Sequence, residues 1–375
     1  MPDMLKKIAA TYRNRRGAAL VLAIFTSVIL TVLAVGLVEI VRVEIIASRS
    51  ALNRLQARYL AKAGFNLARS LLMYEDEQDT DGTEDVWFTL QDEPPLDLGE
   101  GSCHMAVIDA CSLINVNTAD EGVLSVIIGD LALAQAVAAW RTENGPFRSL
   151  GELGRVEGMS KDRLAELAKL VTTVSLERNV SAEGEERVNV NTPDPSQMVR
   201  LLGIRQSQAQ SIIHYRRLQP DDLLHAPGEV LRADLPRSVV KEIMDKITVS
   251  EAKYNSGRVN LNTASREVLL ALPGASPQFV DTLIARREEE GGGLRSIGEL
   301  LGFPGISDED FISLSGLTCT KSSTYIIEAS AQLEGKPVRR TLQGVVMRQP
   351  GPVAPIASGW KETFRPTFIQ TGESG

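Results

Sequence analysis

The stretch RNRRGAALVLAIFTSVILTVLAVGLV, residues 13–38, decides the fold of this chain. The basic residues end at Arg16, and the 21 residues 18–38 carry no charge. A helix of about 20 apolar residues is long enough to cross a bilayer. Because Lys and Arg precede the apolar run, the positive-inside bias predicts that the N-terminus stays in the cytoplasm. The rest of the chain is then expected on the other side of the membrane.

Three interpretations of this segment compete. A secretory signal peptide has an apolar core of about 7–15 residues, so the run here is too long for one. An uncleaved signal anchor fits the length. The order of basic residues, Gly17 and an immediate apolar helix also resembles the leader of type IV prepilins. That resemblance implies that a prepilin peptidase cleaves between Gly17 and Ala18 and that Ala18 is methylated.

Leu22 is the fifth residue from Ala18, a position at which pilins and most pseudopilins carry Glu. A carboxylate buried in an apolar bundle is costly unless it is paired. Among pseudopilins, the general secretion pathway protein K family lacks this Glu, and the segment resembles that family. The resemblance implies a place at the filament tip, because a subunit without the carboxylate needs no neighbour above it.

Length and composition indicate a globular protein of two or three domains. The chain has 375 residues, of which 43% are hydrophobic and 23% are charged. Its net charge is −8, and residues 1–17 carry five basic residues and one acid, which leaves −12 for the remainder. Nucleic-acid binding depends mainly on Lys and Arg that neutralise phosphates, so this charge argues against a nucleic-acid partner.

The helical pattern continues beyond the apolar segment. Between Val38 and Pro94 there is no proline, and apolar residues recur mostly at spacings of 3, 4 or 7. This spacing predicts an amphipathic helix that extends the apolar one to about Tyr74. Such a continuous helix is typical of a pilin stalk; the alternative is an anchor helix that packs only on its own domain. The predicted apolar seam consists of Val41, Ile45, Leu52, Leu55, Tyr59, Ala63, Leu67 and Leu71.

Residues 75–85, EDEQDTDGTED, form an acidic stretch after this helix. Ca²⁺ takes about 6–8 oxygen ligands, so this density of carboxylates suits it, although the spacing is not that of an EF-hand. Pseudopilins of the protein K family bind calcium, and the resemblance favours the same interpretation here. A solvated acidic loop is the alternative. The candidate ligands are Asp79, Asp81, Thr83 and Asp85.

The middle of the chain repeats with a period of about 70 residues. The repeats open with INVNTAD at residue 114, VNVNTPD at 188 and VNLNTAS at 259. Their threonines, Thr118, Thr192 and Thr263, are predicted N-caps of the following helices. The first and third repeats also share FRSLGEL and LRSIGEL, of which the second keeps only HAPGEVL. The pattern predicts three helical units of two to four short helices each.

These units resemble helix-hairpin-helix modules, in which a short turn joins two helices. Residues 272–276, LPGAS, match this turn best. Such modules often bind DNA through backbone amides of the hairpin and nearby basic residues. Here no basic residue lies in LPGASPQ, and Asp130 follows Gly129 where a phosphate would bind in the first repeat. Packing within the protein is therefore favoured over DNA binding.

The remaining segments predict a small sheet. Residues 87–90 and 101–114 indicate extended structure, and residues 323–332 and 337–347 alternate around a Gly turn, as is typical of a hairpin. Pro, Gly, Ser and Thr dominate residues 350–375, which predicts a mobile tail.

Three cysteines allow one disulfide if the chain is exported. Cys103 and Cys111 lie in one strand-like run and could not meet if that strand is straight. The candidate disulfide therefore joins Cys319 to Cys103 or Cys111. The alternative is that all three are small buried hydrophobic residues.

Together these features predict an α+β protein. A pilin-like long N-terminal helix packs on a small antiparallel sheet, and a large all-α domain of helix-hairpin-helix-like repeats is inserted. The predicted segments are a leader (1–17), an apolar helix (18–38), an amphipathic helix with the first part of the pilin-like domain (39–113), the inserted domain (114–318, with repeats 114–174, 188–248 and 259–318), a hairpin (319–349) and a tail (350–375).

The resemblance to the protein K family, which are minor pseudopilins of type II secretion, implies assembly at the tip of a pseudopilus. It implies minor pseudopilins of the I, J and H types as partners, and an inner-membrane anchor with the C-terminal domain in the periplasm of a Gram-negative cell. No catalytic constellation is visible in the sequence, so neither enzymatic activity nor a cofactor other than calcium is expected. The alternatives are a membrane-anchored DNA-binding protein of the competence type and a minor pilin of a type IV pilus.

Overall fold

The longest element is helix α1 (Pro2–Tyr74), in a computed structural model that describes residues 2–74, 80–192, 194–289, 293–348 and 356–366. At about 1.5 Å per residue, its 73 residues span roughly 110 Å. Among the described residues it is the one helix long and apolar enough to cross a membrane, judged by length and composition. The predicted continuous helix is present, and the basic leader forms part of it.

The other described elements are much shorter, with 14 residues at most. The helices are α2 (Val86–Thr89), α3 (Glu121–Ile128), α4 (Leu131–Asn144), α5 (Leu150–Leu153), α6 (Lys161–Leu167), α7 (Pro195–Leu202), α8 (Gln206–Arg217), α9 (Arg237–Ile243), α10 (Arg266–Leu270), α11 (Pro277–Arg287) and α12 (Asp308–Leu317), with 3₁₀ segments at Ala110–Ser112, Pro227–Ala233, Met244–Lys246 and Ile297–Gly302. The strands are β1 (Leu96–Asp97), β2 (Gly101–Asp109), β3 (Ile114–Asn115), β4 (Val171–Thr172), β5 (Leu176–Arg178), β6 (Val188–Asn189), β7 (Ile247–Thr248), β8 (Tyr254–Ser256), β9 (Val259–Asn260), β10 (Thr318–Cys319), β11 (Thr324–Leu333), β12 (Val338–Met347) and β13 (Ile356–Pro366).

One antiparallel sheet lies beside the C-terminal half of α1, with the spatial order β1-β2-β11-β12-β13. At its centre, Ile327 lies opposite Val107 on one side and Gly344 on the other. β11 and β12 form the predicted hairpin, and Gly335 in its turn has a φ of 63°, which a residue with a side chain rarely adopts. The predicted α+β class, with a long helix on an antiparallel sheet, is confirmed.

The face of α1 that packs on the sheet is not the predicted seam. It consists of Ala57, Ala61, Phe65, Ala68 and Leu72, each at most 1% exposed. These residues recur at spacings of 4 and 3, and four of them share one core with side chains of β2 and β11. Small side chains bring the helix axis close to the sheet. At Gly64, between two of them, a Cβ would overlap Sγ of Cys103.

The predicted seam is instead exposed. Leu52 is 55% exposed, Leu55 46% and Tyr59 62%. The amphipathic pattern therefore identified a real apolar face of α1. This face lies outside the core that α1 shares with the sheet. The helix has two apolar faces, and the one made of smaller residues contacts its own sheet.

The C-terminal region contributes a strand that the sequence did not predict. β13 pairs with β12 from Val338–Pro366 to Met347–Ile356, with an irregularity in register after Gly344. Pairing satisfies the backbone groups of β12 that would otherwise form an open sheet edge. The prediction of a mobile tail over residues 350–375 is therefore wrong for residues 356–366.

Residues 86–89 also differ from expectation, because they form the helical turn α2 rather than extended structure. Trp87 is fully buried and packs edge-on against the ring of Tyr325, with ring centroids 5.1 Å apart. Its Nε1 donates to Oδ2 of Asp85 at 3.0 Å. The large indole thus anchors this turn in the core of the body.

The segment between β2 and β11 is a helical domain of three repeats. Each repeat begins and ends with a two-residue strand, and these strands pair in parallel, β3 with β4, β6 with β7 and β9 with β10. The linkers between repeats contribute β5 and β8, which pair with each other. Leu124, Met198 and Val268, one from each repeat, lie in a single hydrophobic core.

The helices after the N-x-N-T segments begin two residues later than predicted. Oδ1 of Asp120 accepts from the backbone N of Val123 at 2.7 Å and so caps α3. Thr118 lies in the preceding turn, where its backbone N donates to the carbonyl of Asn115 at 3.1 Å. The third residue of each TAD, TPD or TAS triplet, rather than the threonine, reaches the free N–H groups of the helix. The N-caps are Asp120, Asp194 and Ser265, so the assignment to Thr118, Thr192 and Thr263 is wrong.

Candidate functional site

The predicted leader junction lies within α1. Gly17 and Ala18 are both helical, and the helix continues through them without interruption. Leu22, in the position that most pilins give to Glu, is 66% exposed. The apolar surface runs on from it through Val35 and Ile45 to Tyr59, so that exposed hydrophobic residues extend well beyond the apolar segment.

A bridging asparagine organises each repeat. The side chain of Asn117 accepts from the backbone N of Phe147 at 2.8 Å, and its Nδ2 donates to the carbonyls of Phe147 and Thr173, both at 2.9 Å. One amide therefore joins the opening turn, the FRSLGEL segment and the residue after the closing strand. In the other repeats, Asn191 bridges Leu224 and Val249, and Asn262 bridges Leu294 and Thr320.

An arginine on the second helix of each repeat fixes the same turn. Nη1 of Arg141 donates to the carbonyls of Val116 and Ala119, at 2.8 and 3.0 Å. Arg287 makes the equivalent pair of bonds to Leu261 and Ala264, and Arg216 donates to the carbonyl of Asn191. These arginines escaped the sequence analysis. The signal that could have found them is their position 26, 27 and 27 residues after the first Asn of each N-x-N-T segment.

The shared Gly-Glu signature has two separate roles. The glutamate closes its own turn: Glu152 accepts from the backbone N of Arg148 at 2.8 Å, as Glu299 does from Arg295 at 2.9 Å. The glycine makes contact between repeats. Gly228 of the second repeat packs on α12 of the third, where its backbone N donates to Oγ of Ser315 at 2.8 Å.

The third repeat returns this contact. Gly298 packs against α9 of the second repeat, where a Cβ would overlap the carbonyl oxygen of Lys241. Counted back from the closing strand, Lys241 of α9 and Met244, directly after α9, occupy the places of Ile312 and Ser315 in α12. The second and third repeats therefore bind each other through equivalent surfaces, a glycine of each lying on the last helix of the other.

The first repeat has the same surface without a partner in the described chain. A Cβ at Gly151 would meet nothing closer than Oγ of Ser149 at 3.7 Å. Ala165 and Ala168, which correspond to Ile312 and Ser315, are exposed. The signature is thus present in all three repeats, but its packing role is used in two.

Acids adjoin the hairpin glycines, where a phosphate-binding surface would need positive charge. Asp130 caps α4 by accepting from the backbone N of Leu133 at 3.1 Å and pairs with Arg163 at 3.2 Å. Gly274 of the third repeat lies against Asp310, whose Oδ1 would be 2.6 Å from a Cβ added there. In both places a carboxylate adjoins the hairpin glycine.

Buried polar side chains join the body to the third repeat. Asp109, at the end of β2, is 1% exposed; its Oδ2 accepts from Nδ2 of Asn260 at 2.8 Å and from Oγ1 of Thr263 at 2.6 Å. Burial and the nearby charge of Asp81 raise the pKa of Asp109 to about 6, against the opposing effect of these hydrogen bonds. The junction therefore has a carboxyl group that protonates more readily than an exposed one.

The acidic loop is tied to this junction by its own carboxylates. Oδ2 of Asp81 accepts from the backbone N of Ser322 at 2.6 Å, and its Oδ1 pairs with Nη1 of Arg348 at 2.7 Å. Asp85 accepts from Gly82 and Trp87, both at 3.0 Å. Both carboxylates therefore accept hydrogen bonds from groups of the protein and do not present an open set of oxygen ligands.

The structure describes three of the four candidate calcium ligands, Asp81, Thr83 and Asp85. Asp81 is paired with a buried arginine, and Asp79 lies outside the described residues. In the described part of the chain, no group of three or more His, Cys, Asp or Glu could hold a metal ion. Calcium binding stays a prediction from the sequence.

A second buried network lies where the linkers between repeats meet. Glu177 on β5 is 2% exposed and pairs with Arg187 and with Nη1 of Arg258, the latter at 2.9 Å. Asn255 on β8 donates to the same carboxylate at 3.1 Å, and Arg187 also pairs with Asp245 at 3.4 Å. One carboxylate thus holds groups from both linkers, which sequence patterns did not indicate.

The three cysteines occupy two places. Cys103 lies on β2 beneath Gly64 of α1. Cys111 and Cys319 lie at the base of the inserted domain, close enough that each thiol shifts the pKa of the other. All three are buried.

Comparison with known proteins identifies the repeat motif. The helix-hairpin-helix motif matches residues 109–172 and 254–318, which are the first and third repeats. This finding confirms that the chain contains helix-hairpin-helix motifs. The match covers about a third of the chain, and the second repeat lies outside it.

Three curated proteins share similarity with part of the chain, and all are named endonuclease/exonuclease/phosphatase family domain-containing protein 1. The Bos taurus protein is 27% identical over 129 residues (28% of this chain and 23% of that protein), and the Homo sapiens protein is 27% identical over 127 residues (28% and 22%). The Xenopus laevis protein is 26% identical over 147 residues (33% and 25%). The chain spans about a quarter of the length of these relatives. Their name contradicts the prediction from the sequence that the chain is not an enzyme, and that prediction is not retained.

Among solved structures, the chain is similar to a chain of the GspK-GspI-GspJ complex from the enterotoxigenic Escherichia coli type 2 secretion system. The two share 14% sequence identity with a TM-score of 0.43, over 84% of this chain and 99% of that one. In this chain the helix-hairpin-helix motifs lie in a helical domain inserted in an antiparallel sheet, beside a long N-terminal helix.

Proposed function

We propose that the chain is a minor pseudopilin of a type II secretion system, processed after Gly17 and placed at the tip of the pseudopilus. The observation that carries the proposal is the second apolar face of α1. Leu52, Leu55 and Tyr59 continue the apolar surface of the membrane segment, are about half exposed, and lie outside the core that α1 shares with the sheet. After cleavage at Gly17 the helix still spans residues 18–74, roughly 85 Å, and a continuous apolar stripe of that length is suited to a bundle of parallel stalks.

The partners would bind to this second apolar face of α1. Minor pseudopilins of the I, J and H types would lay their own N-terminal helices against this face, and a prepilin peptidase would expose Ala18 as the new N-terminus. The body and the helical domain would then lie on the periplasmic side of the inner membrane. Leu22 supports a tip position, because it leaves no carboxylate that a neighbouring N-terminal amine must neutralise.

The test is the N-terminus of the mature protein. Produced with a prepilin peptidase, the wild-type chain is expected to begin at Ala18 and to copurify with I- and J-type minor pseudopilins. Gly17→Asp is expected to retain residues 1–17 and to lose secretion, because the small residue at the cleavage site is replaced by a charged one. Thr11→Ala, within the leader but away from the junction, serves as the control. A wild-type chain that still begins at Met1 would leave a signal anchor and refute the proposal.

The helix-hairpin-helix match favours a second candidate, membrane-anchored DNA binding. The surface opposes it, since Asp130 and Asp310 adjoin hairpin glycines and the chain after Gly17 has a net charge of −12. A gel-shift titration with duplex DNA at physiological salt separates the two candidates, and the gel also shows whether the DNA is cleaved. A salt-dependent shift would favour the second candidate.

A further inference from the structure

Two cysteines mark the two ends of the inserted domain. Cys111 follows β2, the last body strand before the repeats, and Cys319 lies in β10, shortly before the body resumes with β11. They are 0% and 2% exposed. The repeats occupy the whole stretch between them, so a bond between these side chains would join the beginning of the domain to its end.

The surrounding contacts hold the two thiols together. The backbone N of Cys111 donates to Oδ1 of Asp109 at 2.7 Å, and Oδ2 of Asp109 accepts from Asn260. Asn260 lies opposite Cys319 in the β9–β10 pair. It also donates to Oγ of Ser322 at 3.3 Å. Cys111 and Cys319 are therefore held by one network, which joins both ends of the inserted domain to the third repeat.

Cys103 is excluded from this pair by the sheet. It lies opposite Ala331 on β11, whereas Asp109 lies opposite Tyr325, near the start of that strand. Along β2, at about 3.4 Å per residue, Cys103 is roughly 20 Å from Asp109. Disulfide partners have Cα atoms only about 4.4–6.8 Å apart, so Cys103 cannot reach Cys111 or Cys319.

We infer that Cys111 and Cys319 are a redox site that closes the base of the inserted domain as a disulfide, while Cys103 remains a thiol. The oxidant is a disulfide of a thiol-oxidising protein or of oxidised glutathione. The thiolate of one cysteine attacks that disulfide and forms a mixed disulfide, and the donor's second sulfur leaves as a thiolate that takes up a proton. The other cysteine, as a thiolate, then attacks the mixed disulfide and releases the donor's remaining sulfur as a thiol.

The burial of the pair sets the order of events. The thiolate is the attacking species, and burial raises the pKa of the Cys319 thiol well above its usual value. Exchange in the finished fold is therefore slow, and oxidation takes place while the repeats are still assembling. Once formed, the bond restricts the unfolded chain over the long segment between the cysteines, which favours the folded state.

The oxidising environment rests on the proposed export of the domain. The experiment therefore has two arms, which test the disulfide with and without export. In the first arm, the full chain is isolated from membranes without reductant, denatured, alkylated and digested. In the second arm, the full chain is reduced, unfolded and refolded in detergent with oxidised glutathione. In both arms we expect a cross-linked peptide containing Cys111 and Cys319, alkylation of Cys103, and an intact mass lower than that of the reduced chain by two hydrogen atoms.

The variants give each outcome a meaning. Cys103→Ser is expected to keep the cross-link, whereas Cys111→Ser and Cys319→Ser each abolish it. Reductant present during refolding should lower the melting temperature of the wild type but not of the Cys111→Ala/Cys319→Ala double variant. A cross-link in the second arm alone supports the redox site and counts against export. Alkylation of all three cysteines after refolding, or a cross-link to Cys103, overturns the inference.

Discussion

Glu177→Gln is expected to lower the free energy of unfolding by about 3 kcal/mol, because it removes the charge that balances two buried arginines. The side chains of Arg187 and Arg258 are 10% and 8% exposed, so water cannot replace the lost carboxylate. Gln keeps the size of the side chain and one oxygen acceptor. The loss therefore reports the unpaired charge and not a cavity. Arg258 is the more affected partner, since Arg187 retains Asp245.

Thermal or urea unfolding of the full chain in detergent, followed by tryptophan fluorescence, measures this effect. Trp140 stacks on Phe147 in the first repeat, with ring centroids 4.2 Å apart, and so reports on the repeat domain. Asp281→Asn is the matched control, because it removes one partner of the exposed pair that Asp281 makes with Arg266 at 2.8 Å. The control is expected to unfold like the wild type. Equal midpoints for the wild type and Glu177→Gln would contradict the prediction.

The pH dependence of this difference has a definite sign. Burial by itself would raise the pKa of Glu177, but the charges of Arg187 and Arg258 hold it below its usual value. The ionised carboxylate therefore stabilises the fold above the pKa that Glu has in the unfolded chain. This contribution is lost as the pH falls through the lower pKa of the folded state. The wild type and Glu177→Gln should differ most near neutral pH and become similar in acid.

The sequence predicted the helices and repeats more reliably than the contacts that their residues make. The repeats are visible in the sequence because the N-x-N-T and Gly-Glu motifs recur. The structural role of each motif depends on contacts between residues about 30 positions apart, such as Asn117 with Phe147, and no local pattern contains these contacts. The caps show the same limit on a smaller scale. Thr118 and Asp120 are both good N-cap residues, and the turn closed by Asn115 decides in favour of the second.

The two faces of α1 show why burial could not be predicted from periodicity. Periodicity predicts an apolar seam that includes Leu55 and Tyr59, yet Ala57, Ala61 and Ala68 are the residues buried against the body. A small-residue face lets the sheet approach closely, and this depends on the shape of β2 and not on the hydrophobicity of the helix. The same argument applies to the cysteines. Sequence left Cys103 and Cys111 as equal partners for Cys319, and only the direction of β2 separates them.

Substitution of the signature glycines tests the contact between repeats. Gly298→Ala is expected to cost about 2–3 kcal/mol of unfolding free energy, within the usual range for overpacking a core. The obstacle to the new methyl group is the carbonyl oxygen of Lys241, a backbone atom that cannot rotate away. Relief would require α9 to move from the third repeat, and the midpoint of unfolding followed by tryptophan fluorescence measures the cost.

Gly228→Ala meets a softer obstacle. The new Cβ would lie 2.6 Å from Oγ of Ser315 and 3.1 Å from Cα of Ile312. The hydroxyl can turn aside, although it would then lose its bond to the backbone N of Gly228. We therefore expect a loss of about 1–2 kcal/mol, smaller than that for Gly298→Ala.

Gly151→Ala is the control that the first repeat supplies. Its new Cβ would have ordinary contact with Ser149 and nothing nearer, and Gly151 is not among the glycines with positive φ. With no clash, Ala restricts the unfolded chain more than Gly does, so this variant should be unchanged or more stable by up to about 1 kcal/mol. The order Gly151, Gly228, Gly298 of increasing cost follows from the reciprocal contact alone. Equal effects at all three positions would show that the glycine serves its own turn and not the neighbouring repeat.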